Sequence, residues 1–419
     1  MLKQNNRLKP IISTNTLLNL KKYTTVALSY FFVVSFLGLL LRFFTVVPIN
    51  LNFEYILHTH SHTSLLGWLY LGLTLIIYKT FLEQAQVPKL KKRIFIISNI
   101  SFLGMLVSFP FQGYGLFSIA FSSLYLLASY WFTWFAIKYV PEELKNNFSW
   151  KLARAGLFYL VISSLGTWGI APISATVGLD SFWFNNSLYF FLHFLYSGFF
   201  FLTLISVLFR ILEKRKVKFS SKLQDKFYVH LNMGIVLSYF LSVIWTKPPV
   251  IFYLLGIVGA VYQLYGYYLL YKILLPKKAS IMRVFPKYSF FLLKFAAVLL
   301  AVRVFMQLIS GIPYFTELAF EFKGFIIGYL HMVFLGIITP VLLVFLAHFK
   351  MIRLPKNAIN LLLFTLIITE IMIFYQAAAY WLKLPLFFSY NHFLTAFSCL
   401  FPIAIGWLFI RNLNFAFKR

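Results

Sequence analysis

The chain has 419 residues, 61% of them hydrophobic and 11% charged, and its 38 Lys and Arg against 10 Asp and Glu give a formal charge of +28. A soluble domain of ordinary composition is about a quarter charged and under half apolar, which excludes a soluble enzyme. A disordered basic protein is excluded too, because 52 Phe and 26 Tyr could not stay solvated.

A membrane-spanning helix needs about 20 mainly apolar residues. Twelve stretches meet that requirement: 24–47, 62–82, 93–112, 115–138, 151–173, 186–211, 227–246, 249–272, 287–312, 325–348, 357–382 and 390–410, here segments 1 to 12. The connections are short and hold no Gly/Ser-rich or Pro-rich linker, so the chain reads as one all-α polytopic membrane domain over 1–419. Segment 1 is too long for a signal-peptide core and no A-x-A-like site follows it, so it is expected to persist as a helix. The single Cys399 lies in segment 12, where it reads as a small buried filler.

The basic residues alternate with the segments. The N-terminus and every second connection from it hold 32 of the 38, whereas the opposite side holds Lys247, Lys323 and Lys383. Arg42, Lys294 and Arg303 fall inside segments. This is the positive-inside pattern, which predicts a bacterial-type inner (cytoplasmic) membrane protein with both termini cytoplasmic. The positive charge then concerns topology and anionic lipid headgroups, and nucleic acid is excluded as a partner.

With that topology, six of the eight histidines fall at outer helix ends. His58, His60 and His62 lead into segment 2, His193 and His331 begin segments 6 and 10, and His392 begins segment 12. His230 and His348 lie at the other side and read as interfacial anchors. Three of the outer set share an H-x4-G pattern: His62 to Gly67, His193 to Gly198 and His331 to Gly336, spaced by 131 and 138 residues. The interval is four segments, which predicts three repeated arcs of four helices, approximately 1–145, 146–284 and 285–419. In a regular α-helix the Gly is rotated about 140° from its His and flanks the ligand face, where it lets a neighbouring helix approach.

An intramembrane histidine is a functional candidate by default, and neutral imidazole is the commonest metal ligand. Within the 58–62 cluster two geometries are open. An extended chain points all three side chains one way, whereas a helix puts His58 and His62 on one face and His60 on another. Ser61, Thr63 and Ser64 are candidate caps, so the helix is expected to begin inside the cluster. In segment 10, Gly324 and Gly328 precede His331 on roughly its own face, either as room for a flat macrocycle or as a packing seam. Arg42 and Arg303 lie in the outer halves of segments 1 and 9, where guanidinium groups suit the propionate carboxylates of a haem. Glu370 is the acidic residue deep in segment 11, a candidate for pairing with Arg303 or Lys294 or for relaying protons.

Twelve helices in three arcs, with histidines on helices 2, 6 and 10, resemble subunit I of the haem–copper oxidases. The segment His60-Ser-His62-Thr-Ser-Leu-Leu-Gly67-Trp68 is similar to the H-x-H-x4-G-W pattern of C-type oxidase catalytic subunits. It equally resembles the H-x-H-x4-G motif of NnrS-type membrane haem proteins, which are linked to nitric oxide tolerance. The resemblance implies haem of unspecified type, with His62 and His331 as its ligands and His193 as ligand to a second metal, with copper the candidate. His58, His60 and His392 are alternative ligands. Segment 7 holds only His230, at the far end, and segment 10 has one outer histidine instead of an H-x-H pair. Both departures place the chain nearer the NnrS-like or degenerate oxidase-like members than a working terminal oxidase.

The expected function is therefore haem-dependent respiratory electron transfer or the handling of a diatomic gas such as nitric oxide. The expected partners are the lipid bilayer, a redox partner or oxidase subunits, and a small gas ligand. The competing expectations are a transporter with a histidine-lined polar pathway and no haem, and a site that holds metal without haem.

Overall fold

The computed structural model describes residues 14–85, 87–178 and 181–417, and every regular element among them is helical. Among the described residues, twelve helices are long and apolar enough to cross a bilayer. They are α1 Asn19–Phe43, α2 Phe53–Leu82, α3 Pro88–Gln112, α4 Leu116–Tyr139, α5 Phe148–Ser174 and α6 Phe182–Lys214. The second half comprises α7 Ser221–Thr246, α8 Val250–Val284, α9 Lys287–Ile309, α10 Gly324–His348, α11 Lys356–Trp381 and α12 Tyr390–Phe417. A short helix, Pro313–Glu321, joins α9 to α10. The chain is thus an all-helical, multi-pass membrane protein. Lys3, Arg7, Lys9, Lys418 and Arg419 lie outside the described residues.

The expected segments fall on these helices, and α2 departs from its expected start. It begins at Phe53, nine residues early, because the Asn52 side chain accepts a hydrogen bond from the Tyr55 N–H at 3.2 Å and Glu54 sits in the first turn. Ser61 and Ser64 are not caps. They lie within the helix, and their hydroxyls donate to the carbonyl oxygens of His58 and Ser61. All three clustered histidines are therefore helical, and His58 and His62 face one neighbour while His60 faces another.

Three helices form the inside of the bundle. The most apolar stretch of α2 is entirely buried within the protein, as is 83% of that of α6 and 67% of that of α10, against 28–56% for the other nine. Helix association in lipid depends on close packing and hydrogen bonds rather than on the exclusion of water. Trp68, 1% exposed, supplies both: its ring stacks on Phe31 of α1 at 4.6 Å and its N–H donates to Thr339 Oγ1 of α10 at 3.0 Å. The first and last spans are also neighbours, since α1 packs along α12.

The same local geometry occurs on each inner helix. A π-helical stretch begins one residue after each H-x4-G histidine, at Thr63–Tyr70, Phe194–Phe200 and Met332–Ile338. Such i→i+5 turns are rare, and they frequently accompany functional sites. The glycine of each motif then meets the preceding helix. A Cβ on Gly67 would lie 2.8 Å from the Tyr30 ring, one on Gly198 2.4 Å from Tyr159, and one on Gly336 2.5 Å from Leu299. Two of these contacts extend further, because the Tyr30 and Tyr159 hydroxyls reach the carbonyl oxygens of Asn99 and Asn232 on α3 and α7, each at 3.4 Å.

These contacts predict a specific sensitivity. Gly198→Ala should destabilise the protein by about 1–3 kcal/mol through overpacking against Tyr159. Gly156→Ala, whose Cβ would find only ordinary contacts from 3.4 Å outward, should be neutral or slightly stabilising. Thermal unfolding of the two variants in the same detergent measures the difference.

Candidate functional site

Polar and titratable groups from α1, α2, α10, α11 and α12 converge in one region. It starts at α1, where Gly38 leaves space that a Cβ would fill, 2.9 Å from the His60 ring. One turn earlier, the Val34 carbonyl oxygen lies 3.1 Å from His60 Nδ1. A carbonyl only accepts, so Nδ1 carries the proton and Nε2 keeps its lone pair.

His331 of α10 has the same arrangement with a different acceptor. Its Nδ1 lies 3.3 Å from Glu370 Oε1 on α11, and the second carboxylate oxygen is buried without a hydrogen-bond partner. Gly328 permits this approach, since a Cβ there would sit 3.3 Å from Glu370 Oε2 and 2.9 Å from the Phe374 ring. Gly324 does the same one turn away, 3.0 Å from the Ala377 Cβ. The two glycines are thus a packing seam for α11. A histidine whose Nδ1 is held by a carboxylate presents Nε2 in a fixed direction, which is the usual support of a metal-binding imidazole.

Arg42 closes the region from α1. It is half-buried and interacts electrostatically with Glu370 and with Tyr390 of α12. The Tyr390 hydroxyl is anchored by donating to the Met372 carbonyl at 2.7 Å, and Thr395 Oγ1 donates to the Arg42 carbonyl at 3.4 Å. His60 interacts electrostatically with both His331 and Arg42. Glu370 does form a pair, with His331 rather than with Arg303 or Lys294. Lys294 instead lies over the Phe290 ring at 5.2 Å.

The other expected site residues are distributed elsewhere. His62 turns toward α3, its ring 4.4 Å from that of Phe109, with Nδ1 2.8 Å from the His58 carbonyl. The His58 ring lies 4.6 Å from that of Tyr114, tilted by 58°, and burial pushes the Tyr114 hydroxyl up to about 12, so that this phenol stays neutral. His193 is 2% exposed and directs Nε2 to the Ile235 carbonyl of α7 at 2.8 Å. Each H-x4-G histidine thus faces the helix that follows its own, as its glycine faces the one before. His392 is exposed. Arg303 is fully buried and belongs to a separate cluster, in which it donates to Ser197 Oγ at 2.8 Å. Among the described residues, no group of three or more His, Cys, Asp or Glu is arranged to hold a metal ion.

Scanned against protein-family models, the chain matches none. No curated protein matches it in sequence either. The site therefore rests on its own geometry. Val34, Gly38 and Tyr390 belong to it without any signal in the sequence, because a backbone carbonyl, a gap and an aromatic among many acquire meaning only through their neighbours.

One consequence is measurable without any cofactor. Arg42 and Glu370 share a sparsely solvated site with a single carboxylate, so Arg42→Gln and Glu370→Gln should be non-additive. Their double-mutant cycle, read by unfolding in detergent, should give a coupling of about 0.5–3 kcal/mol.

Proposed function

We propose that the chain is a haem-binding integral membrane protein of the oxidase subunit I-like class, in which His60 and His331 would hold the iron. Its task on this reading is respiratory electron transfer or the handling of a diatomic gas such as nitric oxide. The observation that carries the reading is the shared state of two imidazoles on inner helices. His60 and His331 each have Nδ1 engaged by an oxygen and Nε2 unengaged, and they interact electrostatically with one another.

The residues fit a haem on three further grounds. Haem iron accepts two imidazole ligands from different helices. Arg42 supplies a guanidinium for a propionate, with the bidentate geometry that carboxylates favour. Gly38 clears the His60 ring on the side of α1. His60 replaces His62 in the proposed pair, because His62 faces Phe109 on the opposite side of α2. Copper is not assigned ligands, since no suitable cluster exists among the described residues.

Bound there, haem would supply one-electron chemistry, or gas binding at its iron once the gas displaces one of the two imidazoles. The chain's own groups do the rest. Glu370, 3.3 Å from His331 Nδ1, would orient the imidazole with Nε2 toward the iron. Arg42 balances that carboxylate and is available to a second one. Trp68 and Phe31 exclude water from the inner side by close packing.

The repeated geometry on α2, α6 and α10 supports the finer architecture of three four-helix units. The histidine faces forward and the glycine backward in each of them, at intervals matching the sequence spacing. The distribution of basic residues supports an inner-membrane location with both termini cytoplasmic.

Optical spectra after haem-replete expression test the function. Wild type and His62→Ala should show a Soret band, whereas His60→Ala and His331→Ala should lose it or shift it. A wild-type protein with no Soret absorbance would overturn the reading.

A further inference from the structure

A second site lies away from the histidine pair. A cavity of about 440 Å³ opens between α6, α7, α9, α10 and the short helix Pro313–Glu321. That volume is within the range of small-molecule sites, about 300–1,000 Å³. Its walls are mainly apolar, formed by residues such as Leu241, Met306, Phe325 and Leu330. Two polar groups in the lining are conspicuous because no group among the described residues satisfies them. Gln307 Oε1 and Trp245 Nε1 are both buried without a hydrogen-bond partner. Each such group costs about 1–3 kcal/mol if it stays unpaired.

Next to this cavity lies a charge without a counter-ion. Arg303, one turn from Gln307 on α9, is 0% exposed. Its guanidinium donates to Ser197 Oγ and lies 3.4 Å from Gln263 Oε1 and 3.5 Å from the Tyr267 hydroxyl. It also packs 4.7 Å from the Phe201 ring and 5.7 Å from that of Tyr196. Among the described residues no carboxylate contacts it, and Nε has no hydrogen-bond partner. Its electrostatic neighbours are the phenols of Tyr196, Tyr267 and Tyr329. Tyr196 and Tyr329 line the cavity. The two phenols thus adjoin both the unbalanced positive charge and the cavity, and a buried charge of this kind is costly until an anion approaches it.

We infer that this cavity binds a single-chain amphiphile with a carboxylate head, a long-chain fatty acid. The head lies toward Gln307, Tyr196 and Tyr329, within the field of Arg303, and the chain lies along the apolar wall. Gln307 meets the head with its amide N–H after rotation of that group. One guanidinium matches one carboxylate charge, and the open, mainly apolar cavity of about 440 Å³ has room for one chain. The inference uses none of the residues assigned to haem, so it stands or falls separately from that reading.

The test uses full-length protein in non-ionic detergent with 11-(dansylamino)undecanoic acid, its methyl ester and unlabelled palmitate. Energy transfer from tryptophan to dansyl reports binding, excess unlabelled palmitate reports the micelle background, and Ala319→Trp, which narrows the cavity, should weaken binding. The acid should bind about tenfold or more tightly than the ester, and palmitate should displace it. Gln307→Leu and Arg303→Met should each bring the acid to within about threefold of the ester. If Arg303→Met does not fold, Gln307→Leu and the acid–ester comparison still decide the matter. Equal binding of acid and ester by wild type, or unchanged acid binding by Ala319→Trp, would overturn the proposal. Haem content is read independently from the absorption spectrum of the same samples.

Discussion

The rest of the structure depends on the absence of a side chain at three points. At Gly67, Gly198 and Gly336 a Cβ would collide with the helix before, and without it each inner helix seats directly against that neighbour. In lipid there is no hydrophobic drive to hold two apolar helices together, so such contacts carry the association. The π-helical turn beside each glycine sets how the rest of the helix is rotated, and the histidine that opens it faces the following helix. Backbone placement therefore precedes chemistry here: where His60 and His331 point follows from how α2 and α10 are seated.

Much of this was legible in the sequence. Apolar length located all twelve helices, and the H-x4-G spacing singled out the three that form the interior. The glycine role was readable as close approach, although which helix each glycine meets was not. The resemblance implied His62 as a haem ligand with His60 as an alternative, and which neighbour each one faces follows only once the cluster is helical. An early start at Asn52, followed by Glu54 in the first turn, is the signal that was available; it places all three histidines on helix. The π-helical stretches leave no periodicity to detect. Glu370 was recognised as a pairing residue, but its partner lies on α10 and depends on the tight seam at Gly324 and Gly328.

Two intramembrane arginines looked alike in the sequence and differ in the structure. Arg42 is half-buried and has a carboxylate, Glu370, among its electrostatic neighbours. Arg303 is fully enclosed by phenols, hydroxyls and an amide, none of which carries a full negative charge. Cation–π contacts and polarised hydroxyls lower the cost of such a group without neutralising it. The first arginine belongs to a self-contained cluster; the second belongs to a cavity whose electrostatics are incomplete.

The neighbouring position of α1 and α12 bears on how the protein is made. Arg42 and His60 leave the ribosome first, and Glu370, Tyr390 and the rest of α12 follow only on the order of 300 residues later. At about 5–20 residues per second that is an interval on the order of tens of seconds. During it the α1 guanidinium sits in or beside the bilayer with no carboxylate to meet it, and α2 has no α10 to receive Trp68. The first helices must therefore wait in a provisional arrangement, held by lipid, the insertion machinery or one another. The histidine region is the last part of the molecule to close, and a chain that stops short of α11 never acquires the acid that balances its first buried base.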